Sequence, residues 1–353
     1  MSTSSPDVLS EQRGHLGLIT LNRPTAMNAL TTGMVAAMLD QFQLWEHDES
    51  VSTVAVRGAG DRGLCAGGDI VAIYHDILAG GTDTARFWRV EYELNALIAR
   101  YPKPYVALMD GLVLGGGIGI SAHGSLRVVT ERTRAGMPET TIGFVPDVGG
   151  TYLLSRSPGE TGTYAALTAA HLNAADAIFL GLADTMVESS QLDALVAALA
   201  EGDAADVVGQ FAVQVPDSGL APRQQWIDTC FASDDVGEII HQLQNQGPDA
   251  AETAADLLAK SPTAVSVTLA ALRRAADLSL EETLQQDYRV GLRFLGGPDF
   301  REGIRAQVID KDRTPQWRPA TVGEIRQDAV DRYFEPLGAD ELLLNAHQHR
   351  GAN

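Results

Sequence analysis

Cysteine, long apolar runs and positive charge are all scarce in this chain. Of its 353 residues only Cys65 and Cys230 are cysteines, so the sequence predicts no disulfide framework and favours a reducing compartment such as the cytoplasm. The polar N-terminus, MSTSSPDVLSEQRG, lacks a basic segment followed by an apolar one, so we predict no signal peptide. The longest apolar runs, such as ALMDGLVLGGGIGI, are interrupted by Asp or Gly and are too short to span a bilayer.

The charge balance limits the classes of binding partner. Lys and Arg number 26 against 46 Asp and Glu, a formal net charge of −20. This excess of negative charge argues against nucleic acids and anionic membranes as partners. It does not argue against a small anionic ligand, because backbone amides can bind phosphate within an acidic protein. The eight histidines show no metal-ligand spacing, so we predict no metal.

The first half of the chain alternates between strand and helix patterns. β-Branched and apolar runs that end in Pro, Gly or Asp predict strands, and apolar residues at helical spacing predict helices between them. The predicted strands are HLGLITLNRP, VSTVAVRGAG, YVALMDG and SLRVVTE; the predicted helices are TTGMVAAMLDQFQLWEHDES and residues 83–101. This alternation predicts an α/β fold with a parallel sheet and covering helices.

The pattern changes near Asp176, after which almost every segment has helical spacing. GLADTMV, residues 181–187, is a candidate for the last strand of the core. We therefore predict a mixed core over residues 1–200 and a helical C-terminal region over residues 201–353. The polar tail after Pro315 is expected to pack loosely.

Two glycine-rich turns follow predicted strands, CAGGD at 65–69 and GGG at 115–117. Glycine allows the backbone to approach a ligand closely, and both turns lead towards helices, whose first amides are free to donate. Two such amides on one ligand oxygen would form an oxyanion hole. The alternative is that both are tight structural turns. Neither has the spacing of a P-loop or a GxGxxG fingerprint.

The segment MPETTIGFVPDVGGTY, residues 137–152, places two acids among apolar residues, prolines and glycines. No Lys or Arg lies between Glu139 and Asp147 to neutralise either one. The structural alternative is that Glu139 caps a helix and Asp147 satisfies a turn.

Taken together, these motifs resemble the crotonase (enoyl-CoA hydratase/isomerase) superfamily. The similar segments are LITLNRPTAMNAL, GLCAGGDI, YPKPYVALMDGLVLGGGIGISAHGSLRVVTE and MPETTIGFVPDVGGTYLLSR, in the same order and at similar separations. DFREGIRAQVIDKDRTPQWRP, residues 299–319, looks like the C-terminal motif of one branch, the 3-hydroxyisobutyryl-CoA hydrolases. The resemblance covers about residues 12–320.

The resemblance implies a spiral of ββα units that binds an acyl-CoA thioester. The two amides that hold the thioester oxygen would be those of Gly68 and Gly116. The loop RPTAMNAL, near Ala26, would cradle the adenine of CoA. No cofactor is implied, because CoA belongs to the substrate. A homo-oligomer is also compatible with the superfamily, whose members often form trimers.

The same resemblance assigns roles to three acids. Hydratases use two glutamates, one matching Glu139 and one at the position of Gly119, which has no side chain. The hydrolase branch instead has an Asp at Asp147, and a Glu matching Glu91 contacts the hydroxyl group of the substrate. A helix face of exposed ion pairs is the alternative for Glu91.

These assignments predict hydrolysis of 3-hydroxyisobutyryl-CoA, as in valine breakdown. Glu139 would attack the thioester directly or activate water, and Asp147 would be its acid or orienting partner. The competing predictions are an enoyl-CoA hydratase or isomerase and a non-catalytic CoA-binding protein. A Cys65–His123 dyad is conceivable, although a packed thiol and a locally satisfied histidine are favoured. Lys311 would contact a CoA phosphate or pair with its Asp neighbours.

Overall fold

The computed structural model describes residues 6–344. Residues 1–5, the first part of the polar N-terminus, and residues 345–353, the end of the predicted C-terminal region, lie outside the described residues. The strands are β1 (Val8–Arg13), β2 (Leu16–Leu21), β3 (Thr53–Gly58), β4 (Gly63–Cys65), β5 (Tyr105–Met109), β6 (Leu112–Leu114), β7 (Leu126–Val129), β8 (Arg134–Gly136) and β9 (Thr185–Met186).

The strands form two sheets, and successive strands along much of the chain belong alternately to one and the other. The larger has the order β1-β2-β3-β5-β7-β9, and the smaller has the order β4-β6-β8. All neighbouring strands are parallel except β1 and β2, which form an antiparallel hairpin. Each of the successive pairs β3–β4, β5–β6 and β7–β8 gives its first strand to the large sheet and its second to the small one. Helices separate the pairs, so the predicted spiral of ββα units is confirmed.

The helices fall between the strand pairs and then follow one another to the end of the described chain. The α-helices are α1 (Thr32–Glu46), α2 (Ile70–Ala79), α3 (Asp83–Ala99), α4 (Gly116–Gly119), α5 (Gly150–Leu154), α6 (Thr161–Thr168), α7 (Ala174–Phe179), α8 (Leu192–Leu199), α9 (Ala204–Phe211), α10 (Gln224–Phe231), α11 (Val236–Gln246), α12 (Pro248–Leu258), α13 (Pro262–Ala275), α14 (Leu280–Leu295), α15 (Pro298–Ile304) and α16 (Gln327–Asp331). None within residues 6–344 is long and apolar enough to cross a bilayer.

Apart from its exposed edge strand β1, the large sheet is buried on both faces, which explains why its inner strands are largely apolar. Leu16 and Leu18 of β2 face one core cluster, beneath α8 and α9, whereas Ile19 and Leu21 face the main core. This alternation follows from the two-residue period of a strand. A strand with apolar residues on both faces is typical of a parallel sheet covered by helices on each side.

Several local predictions need correction. The hairpin strand β1 is absent from the predicted strands, because its residues are polar and largely exposed. Helices begin near Gly150, earlier than the predicted change at Asp176. The tail after Pro315 packs against the rest of the chain as far as residue 344, since Phe334 is 7% exposed and Leu342 2% exposed. The division into regions at residue 200 stays a prediction.

The small sheet determines where the functional segments meet. Its three strands are parallel, so their carboxyl ends lie at one edge. The chain leaves that edge through the glycine turn after β4, the glycine turn after β6 and the segment after β8. Helices α14 and α15 of the C-terminal region pack beside this edge, on α3 and on residues 139–142 respectively.

Candidate active site

A small cavity of about 70 Å³ lies where the two glycine turns meet residues 137–152, the acidic segment that carries Glu139 and Asp147. Both turns line it, together with three carboxylates that are almost completely buried: Glu91, Glu139 and Asp147 are 2%, 7% and 6% exposed. The structure therefore brings together all the predicted site residues except Ala26. Their catalytic roles stay predictions.

The glycine turns place two backbone amides at the cavity. Gly67 and Gly115 have φ values of 98° and 50°, which L-residues with side chains rarely adopt. A Cβ atom built on Gly116 would lie 3.5 Å from the Gly68 nitrogen, so the two turns are adjacent. Within residues 6–344 the amides of Gly68 and Gly116 donate no hydrogen bond to the protein. Both are free to bind a ligand oxygen.

Glu139 begins a 3₁₀ turn (Glu139–Ile142) directly after the small sheet. Its Oε1 approaches the Gly115 backbone so closely that a Cβ there would lie 2.6 Å away. Its Oε2 is buried and has no hydrogen-bond partner within residues 6–344. Burial, followed by the charge of Asp147, raises the pKa of Glu139 well above its usual value. The helix-cap alternative did not predict that this side chain lines the cavity, as it does here.

Asp147 has a different environment, because the Tyr92 hydroxyl donates a hydrogen bond of 2.6 Å to its Oδ2. Burial raises the pKa of Asp147 to about 6, although the Tyr92 hydrogen bond lowers it. A hydrogen bond donated to a carboxylate favours its charged form. Asp147 therefore ionises more readily than Glu139 in the free protein.

Glu91 lies on the buried face of α3, with Trp88, Tyr92 and Asn95. Burial, followed by the charges of Asp147 and Glu139, raises the pKa of Glu91 well above its usual value. Its Oε1 has no hydrogen-bond partner among the described residues. The exposed ion-pair alternative is wrong, and Glu91 offers a hydrogen-bonding group to whatever enters the cavity.

The position of Gly119 has no room for a second glutamate. A Cβ atom there would lie 2.7 Å from the Val148 Cβ and 3.0 Å from the Asn95 Nδ2. Real Cβ atoms essentially never approach another atom as closely as the first of these distances, and the second is tighter than most real contacts. Val148 and Asn95 therefore fill the space that a side chain would need. The absence of a carboxylate at Gly119 is thus built into the packing of the site.

Cys65 and His123 do not form a dyad. Burial raises the pKa of the Cys65 thiol to about 12, and its hydrogen bonds are to the backbone of Gly67. The His123 Nε2 donates instead to the Val148 carbonyl at 2.8 Å, and burial lowers the pKa of this ring to about 4. The predicted packed thiol and satisfied histidine agree with these contacts.

A larger cleft of about 650 Å³ adjoins the small cavity, with which it shares Ile73 and Phe87. Ala26 does not line either space, but its loop runs beside the first glycine turn, where Ala66 donates to the Met27 carbonyl at 3.0 Å. Contact between Ala26 and adenine stays a prediction.

Lys311 is exposed, and its Asp neighbours are bound elsewhere. Asp310 and Asp312 pair with Arg305 at 2.7 Å and 2.6 Å. The predicted pairing of Lys311 with these acids is therefore wrong. Its contact with a CoA phosphate stays a prediction.

Three contributions to the site lie outside the sequence predictions. Trp88, Phe144 and Phe300 form a stack of buried rings along one wall of the cavity, with ring centroids 5.3 Å apart for the first pair and 4.4 Å for the second. Tyr92 holds Asp147, and Asp287 on α14 contacts the turn that follows Asp147. The helical spacing of Trp88, Glu91, Tyr92 and Asn95 could have identified the α3 residues. Nothing local in the sequence identifies Asp287 or Phe300.

Comparison with known proteins agrees with this geometry. The family model described as enoyl-CoA hydratase/isomerase matches residues 16–334. The chain belongs to this family, and the predicted crotonase resemblance is confirmed.

Among its relatives, the 3-hydroxyisobutyryl-CoA hydrolase, mitochondrial, of Gallus gallus is 38% identical over 97% of this chain and 92% of that protein. Two solved structures are also similar. A carnitinyl-CoA dehydratase from Mycobacterium thermoresistibile is 49% identical with a TM-score of 0.93, covering 97% of this chain and 100% of that one. An enoyl-CoA hydratase from Rhodobacter sphaeroides 2.4.1 is 40% identical with a TM-score of 0.89, covering 96% and 100%.

Proposed function

We propose that this protein hydrolyses an acyl-CoA thioester, most specifically 3-hydroxyisobutyryl-CoA to 3-hydroxyisobutyrate and CoA. The observation that carries the proposal is the pair of buried carboxylates, Glu139 and Asp147, beside two free amides. The name of the Gallus gallus relative supports the same substrate and reaction. That relative is named mitochondrial; the cytoplasmic location predicted for this chain stays a prediction.

The reaction begins with the thioester oxygen accepting hydrogen bonds from the Gly68 and Gly116 amides. Glu139, or a water that it deprotonates, attacks the carbonyl carbon, and the electron pair of the C=O bond moves onto the oxygen held by the amides. Collapse of this intermediate breaks the C–S bond. The thiolate takes a proton from Asp147 and leaves as the free thiol of CoA.

Direct attack by Glu139 requires a second half-reaction. The anhydride between the acyl group and Glu139 is then opened by water, and the ionised Asp147 takes a proton from that water. The acid leaves and both carboxyl groups return to their starting states. The sum of either route is one water consumed for one acid and one thiol formed.

In the free protein, the protonation states of Glu139 and Asp147 are the reverse of those that the reaction requires. The hydrogen bond from Tyr92 favours an ionised Asp147, whereas Glu139, with an unpaired buried oxygen, holds a proton more readily. A proton must therefore pass from Glu139 to Asp147 before attack. The two groups are coupled by burial in one cavity, so binding of the thioester can redistribute a proton between them.

The volume of the cavity favours a substrate with a short acyl group. A dry cavity of about 150 Å³ holds benzene in a well-studied protein, and this cavity has about half that volume. It accommodates a few non-hydrogen atoms but not a fatty acyl chain. The unpaired Oε1 of Glu91 supplies the polar group that a hydroxyl on such an acyl chain would need.

Hydration or dehydration of an enoyl-CoA is the second candidate, favoured by the names of the two similar structures. Glu139 alone could move a proton at the acyl α-carbon. The packing at Gly119 argues against it, because the second glutamate of hydratases has no place there.

The test is to supply 3-hydroxyisobutyryl-CoA, isobutyryl-CoA and crotonyl-CoA separately, following thiol release and double-bond absorbance in parallel. We expect thiol release from the hydroxyacyl thioester, and a much lower kcat/KM for isobutyryl-CoA, because a site built for a hydroxyl rejects an analogue without it. Glu91→Ala should reduce that preference. Rapid hydration of crotonyl-CoA without thiol release would instead establish the second candidate.

A further inference from the structure

Asp147 is followed by a residue in an unusual backbone conformation. Val148 has a φ of 51°, in the left-handed region, and Gly149 follows with a φ of 74°. A left-handed glycine is common, but a β-branched residue there is a clear outlier. Such a conformation persists only when the surrounding contacts hold it in place, and it is often found at functional sites.

Two side chains from distant parts of the chain hold this turn. The His123 Nε2, just beyond α4, donates to the Val148 carbonyl at 2.8 Å. The Asp287 Oδ2, on α14, accepts from the Gly149 amide at 2.9 Å. Asp287 is 2% exposed, so its hydrogen bond is shielded from competing water. The two contacts fix the carbonyl of one residue and the amide of the next.

The packing around the turn leaves it little freedom. A Cβ atom on Gly149 would lie 2.9 Å from the His123 ring, which shows how closely that ring covers the backbone. Val148 is 1% exposed and packs on Gly119. The left-handed conformation thus places the Val148 side chain against α4 while the preceding carboxylate, Asp147, lines the acyl cavity.

Neither His123 nor Asp287 lines that cavity. We propose that they are positioning residues, which hold the strained Val148–Gly149 turn so that the Asp147 carboxylate stays beside Tyr92 and the thioester. The inference rests on the proposed function, since it assigns a purpose to the placement of Asp147. Without these two hydrogen bonds the turn relaxes towards negative φ, and the Asp147 carboxylate is displaced.

The experiment compares variants that keep each hydrogen bond with variants that remove it. Asp287→Asn retains an oxygen that accepts from the Gly149 amide, whereas Asp287→Ala does not. His123→Gln retains a nitrogen that donates to the Val148 carbonyl, whereas His123→Leu does not. Asp176 supplies a matched control, because this buried carboxylate (8% exposed) accepts from the Ser218 hydroxyl and the Leu220 amide, away from the site.

Misplacement of a catalytic group by about 1 Å can cost on the order of 100-fold in rate, so we expect Asp287→Ala and His123→Leu to lower kcat by that order. KM should change by less than about threefold, since neither residue contacts the substrate. Asp287→Asn and His123→Gln should restore most of the kcat. The Asp176→Ala control should leave kcat unchanged even where it lowers the melting temperature.

The pH profile separates positioning from a general loss of stability. The rising limb of the kcat/KM profile, which we assign to ionisation of Asp147, should move to lower pH in Asp287→Ala and His123→Leu. Displacement relieves burial, the largest influence on the pKa of Asp147, and this outweighs the loss of the Tyr92 hydrogen bond. If one of these variants fails to fold, the other tests the same turn from a different element. Folded variants with wild-type kcat and an unmoved limb would overturn the inference, and so would Asn and Gln variants as impaired as Ala and Leu. Inactivity of the wild type would overturn the proposed function together with it.

Discussion

The Tyr92 hydroxyl and the Asp147 carboxylate are joined by a buried hydrogen bond of 2.6 Å. This bond makes Glu139 and Asp147 unequal, because the Glu139 Oε2 has no hydrogen-bond partner within residues 6–344. A reaction that needs one ionised and one protonated carboxyl group depends on such inequality. The active pair of carboxyl groups carries one proton, and the first proton to leave the doubly protonated pair comes mainly from Asp147, whose pKa is raised by burial to about 6. The profile of kcat/KM against pH should therefore be bell-shaped, with its rising limb set by that first ionisation.

Tyr92→Phe tests this assignment. The hydrogen bond lowers the pKa of Asp147, so its removal should raise that pKa and move the rising limb to higher pH. The measurement is kcat/KM as a function of pH on both sides of the bell. Tyr101→Phe is the control, because its hydroxyl donates to the Phe42 carbonyl, away from the site. A rising limb that stays in place in Tyr92→Phe would remove Asp147 as its origin.

Two variants at Gly116, one with alanine and one with proline, test the role of its backbone amide in the oxyanion hole. Any side chain there meets the Glu91 Oε1 and the Leu30 Cδ1, which would lie 2.5 Å and 3.1 Å from the new Cβ, so Gly116→Ala measures the cost of this crowding. Gly116→Pro adds the loss of the amide donor. We expect the proline variant to lose a further factor of about 10²–10³ in kcat, the usual cost of removing one oxyanion-hole donor.

Circular dichroism should show both Gly116 variants folded before their rates are compared. Equal rates for the alanine and proline variants would mean that the amide donates nothing to the transition state.

Much of the site could be predicted because its parts lie in short segments at strand ends. Gly68, Gly116 and Glu139 each follow a strand of the small sheet within a few residues, and parallel strands bring those ends to one edge. Phe300 and Asp287 could not be predicted in this way, since helices that lie far along the chain from those strands deliver them. Their places depend on how α14 and α15 pack on α3 and on the acidic segment.

Fold prediction failed where local patterns were short or polar. Strands β4, β6 and β8, which are absent from the predicted strands, have three residues each, too few for a two-residue period to be visible. Strand β1 is an exposed edge whose polar residues resemble a loop. The sequence shows that position 119 lacks a carboxylate, but it does not show why. The reason lies in the tertiary structure, where Val148 and Asn95 occupy the space that a side chain would need.

The aromatic stack is expected to limit the length of the acyl group. Phe300→Leu should enlarge the cavity and raise kcat/KM for pentanoyl-CoA relative to butyryl-CoA by about tenfold, since one methylene accommodated in an apolar pocket is worth about 1–3 kcal/mol. The control is Phe294→Leu. Phe294 is equally buried and contacts the edge of the Phe144 ring, but it does not line the cavity. The same change of ratio in both variants would show a general loosening of the core instead.

The buried acids should reduce the stability of the fold. In the unfolded chain Asp147 ionises near the ordinary aspartate pKa of 3.8, whereas in the folded protein burial raises this pKa to about 6. Between these values the unfolded state releases its proton first, so the free energy of unfolding falls as the pH rises, by about 1.4 kcal/mol per pH unit for this group. At pH values below the lower pKa the group contributes no such loss.

Asp147→Asn keeps the shape of the side chain and an oxygen that accepts from Tyr92, but it cannot ionise. We therefore expect this variant to gain stability over the wild type as the pH rises from about 4 to about 6, by on the order of 2–3 kcal/mol, with a constant difference at higher pH. Urea unfolding at several pH values across and above this window measures it.

Asp76→Asn should show the opposite sign. Although burial raises the pKa of Asp76, the hydrogen bonds from Thr84 lower it below the usual value. The charged Asp76 therefore stabilises the fold at pH values above the usual aspartate pKa, and the asparagine variant should lose stability relative to the wild type as the pH rises towards that value. If Asp147→Asn instead lost stability in the same direction as Asp76→Asn, the Asp147 carboxylate would have to be stabilised in its charged form. The unequal carboxylates on which the proposed hydrolysis depends would then lose their physical basis.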